Sequence, residues 1–340
     1  MFKILKIIFG VVLVIICAPI LLGLILKGLS DDVPPPGEMA DVGGYKLHIN
    51  CVGSNVATGR DLPTVVFESG SGTTSPYYHW IQEGLAETTK VCLYDRAGLA
   101  WSDESDLPRD AETITTALHT LLNKADIKRP FVFAGHSIAG LYMRHYVNRF
   151  PEEVSGIAFL DPSHPRQPEV LKMSPTENAE KLKEAFALPK ILFSLGIIDV
   201  LQLLQDPPVQ DAQSDSIEIT EQKTYVGKMS KALDATYYES RDFDKAGLQA
   251  VKNTTLGDRP VVVISAAKPM PSAGPVPMDQ MDPMERQKKF QGLHKEIVAL
   301  SSDGTHVVFE DADHMSLVVE KKHAEKTVPY IRDIVLKSAK

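Results

Sequence analysis

Apolar positions fall into three rhythms along this 340-residue chain. From Ile7 to Leu26 the sequence is apolar without a break. Those 20 residues, at about 1.5 Å each in a helix, match the roughly 30 Å of a bilayer core. Beyond them come short apolar runs closed by glycine, proline or acidic residues. Pro63–Phe67, Val91–Tyr94, Pro130–Ala134, Gly156–Leu160, Arg259–Ser265 and Thr305–Glu310 read as strands. Leu141, Tyr142, Tyr146 and Phe150 recur at helical spacing until Pro151 stops the run. Between Asp161 and Arg259 the character changes. Glu177–Ala187 is polar and helical, Lys190–Leu204 markedly apolar, Gln205–Gln222 acidic and loop-like, and Tyr225–Tyr238 helical again.

The run Pro130–Ala134 leads directly into Gly135-His136-Ser137-Ile138-Ala139-Gly140, so a strand ends on a tight turn bearing one serine and a helix follows. A serine hydroxyl is a weak nucleophile at neutral pH. It needs a base within hydrogen-bond reach, and donors for the oxyanion formed when it attacks a carbonyl. A strand-turn-helix lifts the hydroxyl above the sheet and aims the first helix amides at that charge. Gly135 supplies the small residue needed before the serine. Ala139 stands where the pattern G-x-S-x-G has its second glycine, and Gly140 comes one position late. Taken alone, the string reads equally well as a helix-capping serine.

Other segments break that tie. Pro63–Gly72 is a strand followed by a glycine-rich loop, Val91–Ser102 is a strand followed by a D-R-x-G-x-x-x-S turn, and the loop Asp311-Ala312-Asp313-His314 follows the last strand. With the Ser137 turn, these segments resemble the α/β-hydrolase fold superfamily, in particular its serine hydrolases with a helical cap. The resemblance covers nearly everything after residue 36. It implies an α/β class fold with a mostly parallel central sheet flanked by helices, and a helical cap inserted after the sixth strand, Gly156–Leu160. It implies Ser137 as nucleophile, with oxyanion amides from Ile138 and from Ser71 or its neighbour Gly70. In the same pattern Asp95 orders a turn and takes no part in catalysis.

The base and its orienting acid follow from the order Ser, Asp, His. Of ten histidines, His136 is the variable position of the serine turn, His306 alternates within a strand, and His145 and His323 fall in helical patterns. His314 follows the last strand, where the resemblance places the catalytic histidine, although Asp313 stands where family members usually have glycine. The acid must lie at a strand end near His314 to hold the imidazole in one tautomer. Asp161, at the end of the sixth strand, is preferred. Asp279, beyond a proline-rich loop after the seventh strand, is the alternative.

Net charge is −8 and no basic stripe appears, which argues against nucleic acid as a partner. Cys17, Cys51 and Cys92 lack metal spacing and no phosphate-binding loop is present, so neither metal nor cofactor is expected. Cys51 and Cys92 fall in strands that the resemblance makes neighbours, but two residues do not establish a disulfide. Lys3 and Lys6 precede the apolar stretch, whereas Asp31 and Asp32 follow Lys27. This bias places the N terminus in the cytoplasm and the catalytic domain on the other side of a membrane that a single helix crosses. A cleaved signal peptide, giving a secreted or periplasmic protein, is the alternative. No Ala-x-Ala site follows Leu26, and Ile16 stands where a lipoprotein box before Cys17 needs a small residue.

Four segments result: an anchor and linker (1–32), a first part of the hydrolase core (33–162), a cap (163–256) and a second part of the core (257–340). The expected activity is hydrolysis of a small-molecule carboxylic ester, apolar or lipid-like, through an acyl-enzyme. Thioesterase, amidase and carbon–carbon bond hydrolase chemistry would use the same triad. Epoxide hydrolases and dehalogenases of this fold carry aspartate at the turn, so Ser137 argues against both. From another class, the alternative is a non-catalytic ligand-binding protein or receptor on the same fold. Lys190–Leu204 is apolar around more of a helix than one core-facing stripe requires. It is either a helix buried between cap and core, or one whose second face lines an acyl pocket or touches the bilayer.

Overall fold

The computed structural model describes residues 2–29, 32–56, 59–203, 214–269 and 281–339. The strands are β1 (Glu38–Asp41), β2 (Lys46–Val52), β3 (Val65–Glu68), β4 (Val91–Tyr94), β5 (Phe131–His136), β6 (Val154–Leu160), β7 (Gly257–Ala266) and β8 (Ser301–Phe309); β3 to β8 fall on the six apolar runs, and β1 and β2 precede them. They form one sheet in the order β1-β2-β4-β3-β5-β6-β7-β8. β1 and β2 join antiparallel, and β4 through β8 are parallel. The chain moves from β3 outward to β4 and then returns past β3 to β5. The crevice above the carboxyl ends of β3 and β5 is therefore a topological switch point, where open α/β sheets bind ligands. Cys51 and Cys92 face each other across the β2–β4 pair and form a disulfide.

The helices are α1 (Phe2–Leu29) ahead of the sheet, then α2 (His79–Ala86), α3 (Ala111–Lys124) and α4 (Ala139–Arg149) after β3, β4 and β5. Among the described residues six lie between β6 and β7: α5 (Gln167–Val170), α6 (Pro175–Ser194), α7 (Ile197–Leu203), α8 (Ile217–Gly227), α9 (Lys231–Arg241) and α10 (Phe243–Ala250). α11 (Pro283–Val298) precedes β8, and α12 (Ser316–Val319) and α13 (Lys321–Lys337) follow it. Strand side chains alternate between faces. Val66, Phe131 and Phe133 pack with Leu118, Met143 and Tyr146 of α3 and α4, while Val65, Phe67 and Val132 pack with Leu85 of α2 and Ile331 and Val335 of α13. With helices on both faces, β3, β4 and β5 are buried along their whole length. α10 also packs against the core, through Ala246 and Ala250 on Leu141 and Tyr142.

Lys190–Leu204 is not one helix. Gly196 adopts φ +67°, the left-handed conformation that ends helices, and α7 departs from α6 at 72°. Part of the acidic stretch read as loop is helical, because Ser216 accepts a hydrogen bond from the Ile219 amide and starts α8.

Candidate active site

Ser137 sits between β5 and α4 with φ +59°, a conformation that costs a non-glycine residue about 1–3 kcal/mol. The surroundings hold it there. Its amide donates to Leu160 O at 3.1 Å, and its carbonyl accepts from the Gly140 and Ser163 amides at 2.9 and 2.7 Å. A Cβ on Gly135 would lie 2.5 Å from Met143 Sδ and 2.7 Å from Ala139 Cβ, so only glycine fits before the turn. A Cβ on Gly140 would lie 2.4 Å from Ser163 O. The late glycine therefore lets α4 pass Pro162 and Ser163, and alanine is accommodated at 139.

Asp161 ends β6, fully buried, and also has positive φ, +43°. Its Oδ1 accepts from the Ala266 amide at 2.9 Å, and its Oδ2 lies 2.6 Å from His314 Nδ1. With Nδ1 donating to a carboxylate, the lone pair of a neutral His314 is on Nε2. Burial would raise the Asp161 carboxyl. The hydrogen bond and charge of His314, with His294 and the Ala266 amide, outweigh burial and hold it below the usual carboxylate range. Ser137, Asp161 and His314 line one cavity of about 140 Å³. In this conformation no hydrogen bond joins Ser137 to His314; in such sites that bond commonly tightens only when substrate binds. Asp279 lies outside the described residues.

Three supports were not evident in the sequence. His136, read as the variable position of the turn, is buried and places Nε2 2.9 Å from the His314 carbonyl. Burial, followed by the nearby His314, pushes its pKa down to about 3, so it is neutral and donates from Nε2. Asp313, where family members usually have glycine, accepts through Oδ1 from the Met315 and Ser316 amides, at 3.0 and 2.9 Å, and so orders the turn just ahead of α12. Behind Asp161, His294 reaches the Pro162 carbonyl at 3.0 Å and Ser265 Oγ at 2.6 Å, and Ser265 Oγ reaches His306 at 2.7 Å. Asp95 has the structural role expected, bonding His48 and both the amide and hydroxyl of Ser75.

The glycine-rich loop is fixed by two buried charges. Arg96 Nη1 donates to Glu68 Oε1, Ser69 O and Ser69 Oγ at 2.6, 2.8 and 3.0 Å, and Nη2 donates to Gly70 O at 2.8 Å. Its Nε donates to Glu239 of α9 at 2.7 Å. Glu239 Oε2 accepts from Ser71 Oγ at 2.7 Å and from the Gly72 amide at 3.1 Å. The Gly70 amide donates to Tyr78 Oη at 2.7 Å, which removes Gly70 as an oxyanion donor. Among the described residues the amides of Ser71 and Ile138 have no protein acceptor.

The cavity is walled on one side by Leu171, Met173, Pro269 and Phe290. No described residue of 190–203 lines it, so this part of the apolar stretch is not a wall of the pocket. No group of three or more potential metal ligands occurs among the described residues.

A mostly parallel sheet with its switch point at β3 and β5, and a strained serine lining one cavity with a His–Asp pair, define a hydrolase-like α/β protein. Residues 63–321 match the family model for the alpha/beta hydrolase fold, and the chain belongs to that family. An uncharacterized protein of Schizosaccharomyces pombe is 25% identical over 282 residues, 73% of this chain. The chain spans about half of that relative, 49% of its length. Among solved structures, epoxide hydrolase VrEH1 from Vigna radiata superposes with a TM-score of 0.62 at 15% identity, covering 88% of this chain and 97% of its own. The enol-lactonase from Burkholderia xenovorans LB400 gives 0.57 at 17% identity, covering 88% and 100%. At these identities the likeness speaks for the fold.

Proposed function

We propose that the protein is a serine hydrolase that cleaves a carboxylic ester through an acyl-enzyme. The observation that carries this reading is a serine held at φ +59° in one cavity with a His–Asp pair 2.6 Å apart. Ser137 Oγ attacks the ester carbon as its proton passes to His314 Nε2, and the carbonyl π pair moves to oxygen. The Ile138 and Ser71 amides meet that charge, aided by the N-terminal end of α4. When the carbonyl re-forms, the C–O bond to the alcohol breaks and the departing oxygen takes the proton from His314. Water, deprotonated by His314, then attacks the acyl-enzyme, and collapse releases the acid and restores Ser137. Asp161 holds the imidazole in one tautomer and balances the imidazolium.

Leu171, Met173 and Phe290 suit an apolar acyl group, and residues 163–256 serve as the cap around it. We read α1 as an uncleaved anchor with the catalytic domain on the non-cytoplasmic side. The Cys51–Cys92 disulfide agrees, since such bonds persist in oxidising compartments. The test uses the full chain in detergent with ester, thioester and amide substrates and a serine-directed phosphonate. Ser137→Ala should abolish labelling and lower kcat by at least about 10³. Equal labelling of both proteins would place the nucleophile elsewhere, and no turnover by the wild type on any substrate would favour a binding protein.

A further inference from the structure

The exposed apolar surface of α1 does not stop at the end of that helix; it continues onto the cap. α1 is exposed nearly throughout, except for a seam of Pro19, Ile20, Gly23 and Leu26 at helical spacing, which is turned toward the rest of the chain. α7 packs along this helix. At this contact Gly23 meets the backbone of the turn Leu195-Gly196 that leads into α7. A Cβ on Gly23 would lie 2.5 Å from Leu195 O and 2.6 Å from Gly196 O, and one on Gly196 would lie 2.2 Å from Gly23 O. Small residues that let two helices meet backbone to backbone are a means of association inside lipid.

The seam fixes a depth. Counting back from Leu26, where the apolar stretch closes, Gly23 and Pro19 lie about 4.5 and 10 Å inside the hydrocarbon at about 1.5 Å per residue. α7 runs beside that length, at the depth reached by helices that lie in a membrane interface. Its side chains suit such a place. Leu201 and Leu203 are 47% and 64% exposed, and Leu188 and Ile191 on the adjoining end of α6 are 62% and 54% exposed. The one acid on α7, Asp199, is paired with Lys228 at 2.7 Å. Lys27 reaches the last carbonyls of α6, Phe193 O and Ser194 O, at 3.4 and 3.5 Å, as a lysine at the headgroup level can.

We propose that α7 and the C-terminal end of α6 are inserted in the non-cytoplasmic interface of the bilayer that α1 crosses, so that the cap itself binds a lipid surface. This rests on the reading of α1 as an uncleaved anchor. Lipid is favoured over a protein partner because the surface is continuous with α1 and lies at hydrocarbon depth.

The experiment uses the full chain in phosphatidylcholine nanodiscs on a Cys17→Ser background. Ile191→Cys, Leu201→Cys and Leu248→Cys are each labelled with an environment-sensitive fluorophore. Leu248 on α10, 70% exposed and apolar, is the control for an aqueous surface. Probes at 191 and 201 should be quenched at least threefold more by doxyl-labelled lipid than the probe at 248, and at least threefold less by iodide. Gly23→Leu should lower lipid quenching at 201. Iodide access at 191 and 201 equal to that at 248 would overturn the proposal. Protection from both quenchers would also overturn it, by revealing a protein interface. Intact mass decides the anchor separately: loss of residues before about 30 would sink that reading, while the probes on the shortened protein with vesicles would still report whether the cap meets lipid.

Discussion

Glu239 and Arg96 are separated by 143 residues, yet together they hold all four residues of the loop Ser69-Gly70-Ser71-Gly72. One guanidinium faces two carboxylates there, all buried, and the balance is unequal. Burial pushes the Glu68 carboxyl up against the pull of Arg96, and the charge of Glu239 adds to that push. Glu239 belongs to a helix of the inserted segment, so the Ser71 amide is in place only while that helix is seated on the core. Glu239→Gln removes the charge and one acceptor. If Ser71 donates to the oxyanion, kcat should fall about a hundredfold, with KM within a few-fold and partial recovery in Glu239→Asp. Steady-state kinetics on one ester checks this, and a KM effect without loss of kcat would sink it. Such a residue is not visible in the sequence, because nothing near position 239 marks its partners. Ser137, Asp161 and His314 could be read because each follows an apolar run whose end is marked by composition. Asp313 orders the turn ahead of α12 through its side chain, a role that its sequence position alone does not show.

At the level of elements, the strands of the parallel sheet were legible and the inserted helices were not. The central stretches of β3 to β7 are buried on both faces, so Val65–Phe67, Val91–Tyr94, Phe131–Ala134, Ile157–Leu160 and Val261–Ile264 are unbroken apolar runs. The inserted helices are mostly half-buried and pack on one another through mixed polar contacts, such as Lys190 with Asp234 at 2.6 Å. A glycine in the left-handed region then divides an apolar stretch that periodicity alone would join. The β2–β4 pairing shows how an element gains what its length cannot supply. β2 is an antiparallel addition near the sheet edge, and the disulfide ties it to β4 across a separation of 41 residues. Loop-closure arithmetic for that span gives about 4 kcal/mol. Cys51→Ser with Cys92→Ser should therefore lower the unfolding free energy by about 2–4 kcal/mol and leave kcat nearly unchanged, since neither strand end carries a residue of the proposed triad. Denaturant titration with and without reductant checks it. An unchanged midpoint would mean that the sheet holds β2 without the bond.

For the molecule as a whole, buried histidines set the direction in which stability changes with pH. Burial is the largest cause in each case: it lowers His136 and His164 to about 3, and His79 and His294 to about 4. A histidine with an ordinary unfolded pKa near 6.5 takes up a proton on unfolding whenever the pH lies between its two pKa values. Such a group contributes stability above about pH 6.5, and that contribution is lost as the pH falls toward the folded value. For the fully buried His136 and His294 the loss between pH 7 and 5 is on the order of 2 kcal/mol each. His48 works the other way. Burial lowers it, but the hydrogen bond and charge of Asp95 raise it overall, so its contribution is present below pH 6.5 and lost above its folded value. His306 is lowered by burial as well, so the lowered histidines outnumber His48 together with the Glu68 and Glu83 carboxyls, which burial raises and which act in the same sense as His48. Asp161 lies outside the window, because its lowered carboxyl is ionised in both states at pH 5. The melting temperature should therefore fall as the pH drops from 7 to 5, with net proton uptake on unfolding. His294→Asn should reduce that uptake by about one proton. A melting temperature that is flat or rises over this range would mean that these imidazoles are hydrated, and that the network behind Asp161 is open to water.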